Sequence, residues 1–354
     1  MHYPDRPRFV EFLRTEAREY TNRAIKAGKF GQVPEGGKNL FTIHSANHWM
    51  ELEKNTPVPH MLFGELWYQG ELCILFADTN AGKSVLAVQI GNALAAREQM
   101  PPFGCEANKC DVVYLDFELS GAQFHARYTY NDVTCDFAKG FYRAEFNPDS
   151  ALPPEFKTFD EYMNEAIEYA VVKTGANVLI IDNITCLRGD TGHAGKALPL
   201  MQHLKALKNK YKLSVLVLAH TPKRNPAQPI TRNDLEGSKM LMNFADSAFA
   251  IGESHLESGL RYLKQVKQRY GQRLYGADNV CLFHIVKRLN RLKFEFAGFD
   301  DERLHLYQPP PTSKKSTETR ILELSAQGLS QRKIAACLNI SLGKVNAILK
   351  KEEE

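Results

Sequence analysis

The sequence predicts an α/β protein built on a mostly parallel central sheet, with a small all-α trihelical domain at its C-terminus. Three observations carry this. Apolar runs alternate with helical segments from Gly64 onward, a Gly-Lys-Ser turn follows the first run, and a Pro- and Lys-rich stretch near residue 308 sets off the last part of the chain.

The runs Leu72–Phe76, Val112–Phe117, Val178–Ile181 and Leu213–Leu218 lack the alternation of a half-solvated strand, so they read as strands buried on both faces. Ser84–Arg97, Phe159–Lys173 and Ala197–Tyr211 read as the helices between them, an order that closes into a parallel sheet through right-handed crossovers. Ser247–Ile251, Leu260–Lys267, Cys281–Val286 and Leu292–Phe296 extend the sheet. Residues 1–58 read as an N-terminal helical appendage, with a helix over Arg8–Lys29, a break at Gly36-Gly37 and an end at Pro57-Val58-Pro59. The main domain spans 59–307, and 308–316 (Gln308-Pro309-Pro310-Pro311-Thr312-Ser313-Lys314-Lys315-Ser316) is a stiff polar linker. Residues 317–354 hold three helices, Thr317–Ala326, Gln331–Leu338 capped by Ser330, and Leu342–Lys351 capped by Ser341. The short turn between the last two is the helix-turn-helix arrangement.

Composition excludes several classes. Forty-five Lys+Arg against 41 Asp+Glu leave +4 over 354 residues, so a nucleic acid must be met by a local patch. There is no run of 18 apolar residues and no apolar core in Met1–Arg6, so neither a membrane-spanning helix nor a secretory signal is expected and the chain reads as cytoplasmic, with no membrane partner. Seven cysteines without a CxxC pair read as free thiols in a reducing compartment.

The chemistry concentrates after Leu72–Phe76. There Ala77-Asp78-Thr79-Asn80-Ala81-Gly82-Lys83-Ser84-Val85 joins a buried strand to a helix, the setting a P-loop requires. Backbone N–H groups there face phosphates, Gly82 allows close approach, Lys83 neutralises β/γ oxygens and the Ser84 hydroxyl belongs to a Mg²⁺ shell. Ala77 stands where the motif has its first glycine. If that position needs a left-handed backbone, alanine strains the turn by about 1–2 kcal/mol; if not, nothing is lost. Asp182 ends an apolar strand, where a carboxylate holds the metal through water. Glu118, after the second strand, is placed to orient an attacking water, with Asp116 a weaker contender. His220, ending the strand after Lys212, can donate to a γ-phosphate oxygen.

Together with Leu66-Trp67-Tyr68-Gln69-Gly70-Glu71-Leu72 and Glu236-Gly237-Ser238, these residues resemble the RecA-like P-loop ATPase core over about residues 60–300, and look most like the plasmid RepA-type hexameric replicative helicases and their relatives on mobile elements. The resemblance implies ATP with Mg²⁺ at Gly82, Lys83 and Ser84, Glu118 as catalytic carboxylate, Asp182 on the metal and His220 as γ-phosphate sensor. It also implies a ring, expected to be a hexamer, in which a neighbour supplies cations; Lys267 and Arg269, on one face at the end of a strand, resemble the family's piston lysine and arginine finger.

Single-stranded DNA is expected to meet Lys223, Arg224 and Arg232 in a mobile loop over Thr221–Asn233, with Gly189-Asp190-Thr191-Gly192 a second channel loop. The last helix is expected to offer Lys344, Asn346, Lys350 and Lys351 to duplex DNA, partly offset by Glu352-Glu353-Glu354. The function expected is an ATP-hydrolysing DNA motor of helicase type, with an ATP-dependent DNA-binding regulator and a helicase loader or assembly protein as alternatives.

Overall fold

The computed structural model turns the apolar runs into the middle of a single sheet and describes residues 42–147, 149–184, 197–235, 238–308 and 314–353. The expected helix Arg8–Lys29, the Gly189–Gly192 loop and Glu236-Gly237 lie outside the described residues, as do the side chains of Lys351 and Glu352–Glu354. The chain divides into two units, Met1–Val58 and Pro59–Glu354. In the first, α1 (Ala46–Glu53) begins where Ser45 accepts a hydrogen bond from the His48 N–H at 3.2 Å, and none of its residues is buried.

In the second unit the strands are β1 (Leu72–Ala77), β2 (Val112–Asp116), β3 (Thr129–Tyr130), β4 (Val133–Thr134), β5 (Phe141–Glu145), β6 (Val178–Asp182), β7 (Ser214–His220), β8 (Ser247–Glu253), β9 (Leu260–Lys267), β10 (Val280–Arg288) and β11 (Arg291–Asp300). Among the described residues nine of them form one sheet in the order β11-β10-β9-β8-β1-β7-β6-β2-β5, while β3 and β4 pair as a separate hairpin. The six strands from β8 to β5 run parallel, and β9, β10 and β11 add an antiparallel flank. β1 is enclosed by parallel neighbours on both sides, β7 and β8, in the mostly parallel central sheet that the sequence predicts. Strand β5 is absent from the apolar pattern because Phe141-Tyr142-Arg143-Ala144-Glu145 forms the sheet's outer parallel edge and is only half buried.

Period two splits β1 between two cores. Cys73, Leu75 and Ala77 face α2 (Lys83–Ala96), through Leu86, Ile90 and Leu94. Leu72, Ile74 and Phe76 face the other layer, which holds Ile167 and Val171 of α4 (Phe159–Thr174), Leu204 and Leu207 of α5 (Ala197–Tyr211), and Leu241 of α6 (Ser238–Phe244). A short helix α3 (Gly121–Arg127) follows β2, closed by a Ser120–Gln123 capping box.

After β11 comes α7 (Glu302–His305), then α8 (Lys314–Ala326), α9 (Gln331–Cys337) and α10 (Leu342–Glu353). Leu304 of α7 shares a core with Ile321, Leu324, Ile334 and Val345 of the last three helices. Arg303 adds a hydrogen bond to the Gln327 carbonyl at 2.6 Å.

The Thr221–Asn233 segment differs from the mobile loop expected. The Asn225 carbonyl and side chain accept from Gln228 and Ala227, the Tyr307 N–H reaches the Pro226 carbonyl at 3.1 Å, and Thr231–Asp234 closes a capped 3-10 turn. Glu302, fully buried, pins it further: its carboxylate accepts the Ile230 N–H at 2.8 Å and pairs with Lys264, whose ammonium donates to the Ile230 carbonyl at 2.7 Å. Removing one partner of a buried ion pair leaves the other charge uncompensated. Glu302→Ala is therefore expected to lower unfolding free energy by about 3–5 kcal/mol, read as a fall in the urea midpoint; a change well under 1 kcal/mol contradicts this anchor.

Candidate active site

The carboxyl ends of β1, β2, β6 and β7 are level, with Ala77 opposite His220 and Asp116 opposite Asp182. A turn from Asp78 to Gly82 leads from β1 into α2. Ala77 is a strand residue, not a left-handed one, so alanine there costs nothing. The left-handed positions are Asn80 (φ 64°) and Gly82 (φ 100°). Gly82 is required twice over: a Cβ there would also come within 2.7 Å of Ile285 and 2.9 Å of Phe294, from the β10–β11 flank.

Lys83 is buried, and its ammonium donates to the Ala77 and Asp78 carbonyls at 3.0 Å each and to His220 Nδ1 at 3.2 Å. The ammonium is thus held at the phosphate-binding turn by the turn's own oxygens. Burial lowers its pKa, against the pull of Asp182, Glu118 and Asp78. Its bond to Nδ1 puts the imidazole hydrogen on Nε2, which lies 3.4 Å from Glu118 Oε1. That contact is the main cause holding the Glu118 carboxyl below its usual value, with burial opposing it. Asn183 also donates to Glu118 Oε1 and lies 3.0 Å from His220 Nε2. The structure therefore brings Lys83, Glu118 and His220 together.

Asp116 has a different task from Glu118. Its Oδ1 accepts the N–H groups of Glu118 and Leu119 at 3.1 and 2.9 Å, and its Oδ2 accepts Arg143 Nε at 2.9 Å. It shapes the turn that presents Glu118, and Arg143 bonds the same turn at the Leu119 carbonyl. Asp78, in the P-loop, accepts from the Thr221 hydroxyl and lies 3.6 Å from Arg224.

Asp182 is buried to 1% exposure. One carboxylate oxygen accepts the Tyr114 hydroxyl at 2.5 Å, and the other, Oδ1, has no partner. Burial pushes its pKa up to about 6, against the pull of the neighbouring Ser84 and Tyr114 hydroxyls, while Glu118 and Asp116 push it further up. An unpartnered buried carboxylate oxygen beside a P-loop serine fits the donor set of Mg²⁺, which keeps several waters and takes few protein ligands. Thr79, Asn80 and Ala81 complete the turn and Val85 stands in the first turn of α2, so residues 77–85 form one cradle.

Lys267 and Arg269 lie elsewhere. Lys267 pairs with Ala248, itself opposite Ile74, about 10 Å down the strand direction from Ala77 and two strands across. Its ammonium donates to the Met242 and Ala245 carbonyls at 2.5 and 2.8 Å, and its pKa falls to about 8 through burial first and Arg269 second. Arg269 bonds the Asn243 carbonyl at 2.8 Å and Asp246 at 3.3 Å. Both cations hold the end of α6 and do not reach their own P-loop.

The residues expected on DNA divide. Lys223, Arg232 and Lys344 are exposed. The Arg224 side chain is only 10% exposed and bonds the Gln228 carbonyl at 2.9 Å, so it faces the P-loop side, not solvent. Asn346 is half buried with Oδ1 enclosed and unpartnered, so it departs from the exposed face assigned to it. Sequence reasoning missed Asn183, Arg143, Ile285 and Phe294, whose partners here lie 65, 27, 203 and 212 residues away. Only Asn183, adjoining Asp182 at a strand end, carried a local signal.

No helix among the described residues is long and apolar enough to cross a membrane. The family model described as AAA domain matches residues 44–226, slightly more than half of the chain. No curated protein matches the sequence. Among solved structures, a KaiC-like protein from the hyperthermophilic archaeon Pyrococcus horikoshii is similar at 14% identity and a TM-score of 0.45, over 65% of this chain and 91% of that one.

The raised pKa of Asp182 has a definite sign. Above its unfolded value of 3.8 the folded carboxyl holds its proton longer than the unfolded one, so free-protein stability falls as pH rises from about 4 to about 6, by up to about 3 kcal/mol. Asp182→Asn is therefore expected to melt higher than the parent at pH 8 without nucleotide and no higher at pH 4. Thermal melts at the two pH values check this, and an Asn variant that melts lower at pH 8 contradicts it.

Proposed function

The chain belongs to the AAA domain family, and from that premise we propose that this P-loop ATPase is a DNA motor of RepA helicase type, using ATP hydrolysis in a homo-oligomeric ring to move on single-stranded DNA. The observation that carries the ATPase reading is the Lys83–His220–Glu118 cluster set beside the unpartnered oxygen of Asp182.

The chain's own residues divide the work. Backbone N–H groups of the turn and the N-terminus of α2 receive the phosphates, and Lys83 exchanges the Ala77 and Asp78 carbonyls for phosphate oxygens. Ser84 and Asp182 would hold Mg²⁺, which when bound draws negative charge from the β- and γ-phosphate oxygens. Glu118 is kept ionised by His220, so it can accept a hydrogen bond from the attacking water and take its proton. His220 touches both Lys83 and Glu118, so losing the γ-phosphate alters its two contacts together. In this ring reading Lys267 and Arg269 lie away from their own nucleotide, and Arg269, half exposed, exchanges its bonds to Asn243 and Asp246 for a neighbour's phosphate.

Lys223 and Arg232 flank the segment after His220 and are the DNA-gripping residues of this reading. In the C-terminal helices, Lys344, Lys350, Arg332 and Lys333 are exposed and would hold duplex phosphates in a helix-turn-helix mode. A second reading, a regulator whose nucleotide state controls this tail, is favoured by one contact path. It runs from Asp78 through Thr221 and Arg224 to the Gln228 carbonyl, along the chain to Ile230 and Glu302, then from Arg303 and Leu304 into the C-terminal core.

Glu118→Gln is expected to keep nucleotide binding and lose about 10²–10⁴ in turnover. Single-stranded DNA is expected to stimulate the parent enzyme, and forked DNA to be unwound; binding of duplex by the tail with no unwinding favours the regulator. Mixing Glu118→Gln with Arg269→Ala chains tests action across subunits: the mixture is expected to hydrolyse more ATP than either variant alone. A mixture that only averages the two removes the neighbour-supplied cation.

A further inference from the structure

Asp182 is held through only one of its two oxygens, and the residue that holds it, Tyr114, has no part in the division of work given above. Tyr114 lies in β2 opposite Ile180 of β6, so Asp182 stands one strand over and two residues further on, about 7 Å along the sheet. A tyrosine side chain spans that distance, and its hydroxyl donates to Asp182 Oδ2 at 2.5 Å. The ring is fixed in its turn. Tyr114 is fully buried, with the Phe141 ring of the edge strand at a centroid distance of 6.2 Å.

The contact is one-sided, as a merely structural pair is not. Leaving a buried carboxylate half satisfied is costly, and a pair built for packing alone would spend donors on both oxygens. Here Oδ1 is enclosed and bare. Donors are not lacking: the same core holds Tyr128, 5% exposed, whose enclosed hydroxyl also has no partner. A carboxylate free to turn about its Cβ–Cγ bond presents either oxygen, whereas one tied at Oδ2 presents Oδ1 alone. Metal-binding groups are oriented in this way by hydrogen bonds from residues that do not themselves touch the metal.

We propose that Tyr114 is a positioning residue, which by holding Oδ2 fixes the Asp182 carboxylate so that Oδ1 alone is offered to Mg²⁺. The inference deepens the ATPase reading and rests on it. Tyr114 acts only through Asp182, so its effect falls on the metal and not on the nucleotide. Mg²⁺ demands near-ideal octahedral geometry, while Ca²⁺ accepts a flexible shell of oxygens. Losing the hydroxyl therefore harms magnesium binding more than calcium binding.

Titration calorimetry of the full chain with a non-hydrolysable ATP analogue, without metal, with Mg²⁺ and with Ca²⁺, tests it. Metal-free affinity is expected to be the same in the parent and in Tyr114→Phe, which also shows the variant to be folded. The gain in affinity that magnesium brings is expected to fall about tenfold or more in Tyr114→Phe, and the gain from calcium by less. Tyr128→Phe removes an equally enclosed hydroxyl that holds no carboxylate, and is expected to leave both gains as they are in the parent. Adding Tyr114→Phe to Asp182→Asn is expected to change the magnesium gain no further, because the two side chains act as one unit. Equal losses for the two metals, a loss already complete without metal, the same loss in Tyr128→Phe, or additive losses in the double variant overturn the proposal. A parent that gains affinity with magnesium and a Tyr114→Phe chain that matches it remove the proposal alone. A parent that binds no analogue removes the ATPase reading and the proposal with it.

Discussion

The buried ammonium of Lys83 is the constraint around which the rest is arranged. A cation out of water must be compensated, and at the end of a sheet of apolar strands only backbone oxygens and a few polar side chains can do it. The turn supplies the Ala77 and Asp78 carbonyls, and β7 supplies His220. From His220 the network passes to Glu118, which Asn183 also engages, so the groups proposed to hold phosphate and to handle water are fixed by one another. Triphosphate oxygens compensate Lys83 better than neutral carbonyls do, since both partners are then charged.

That network extends beyond the site. Asp78 engages Thr221 and Arg224, which begin the segment that Glu302 pins, and α7 carries Glu302 toward one core and Leu304 toward the C-terminal one. A change at the phosphate-binding turn therefore meets packed, hydrogen-bonded neighbours in sequence before reaching the last three helices.

Much of this was legible in the sequence, for physical reasons. Strands buried on both faces announce themselves as unbroken apolar runs, so β1, β2, β6 and β7 were found to within two residues, and Asp182, Glu118 and His220 stand where such runs end. An edge strand carries no such run, and β5 went unseen with its Arg143. The need for Gly82 was legible, but not its cause, since Ile285 and Phe294 reach it from more than 200 positions away. Three prolines and several cations gave Thr221–Asn233 the look of a mobile loop; Asn225, Thr231 and Glu302 tie it down through bonds that composition does not record.

The central claim is that Lys83 and the turn around it hold a triphosphate with magnesium. Titration calorimetry of the full chain with a non-hydrolysable ATP analogue, with and without Mg²⁺, tests this most directly when repeated on Lys83→Ala. The account predicts magnesium-dependent binding by the parent that weakens on the order of 100-fold in the variant, the worth of a charged hydrogen-bonding group. Equal affinity in parent and variant, or binding indifferent to magnesium, would contradict it.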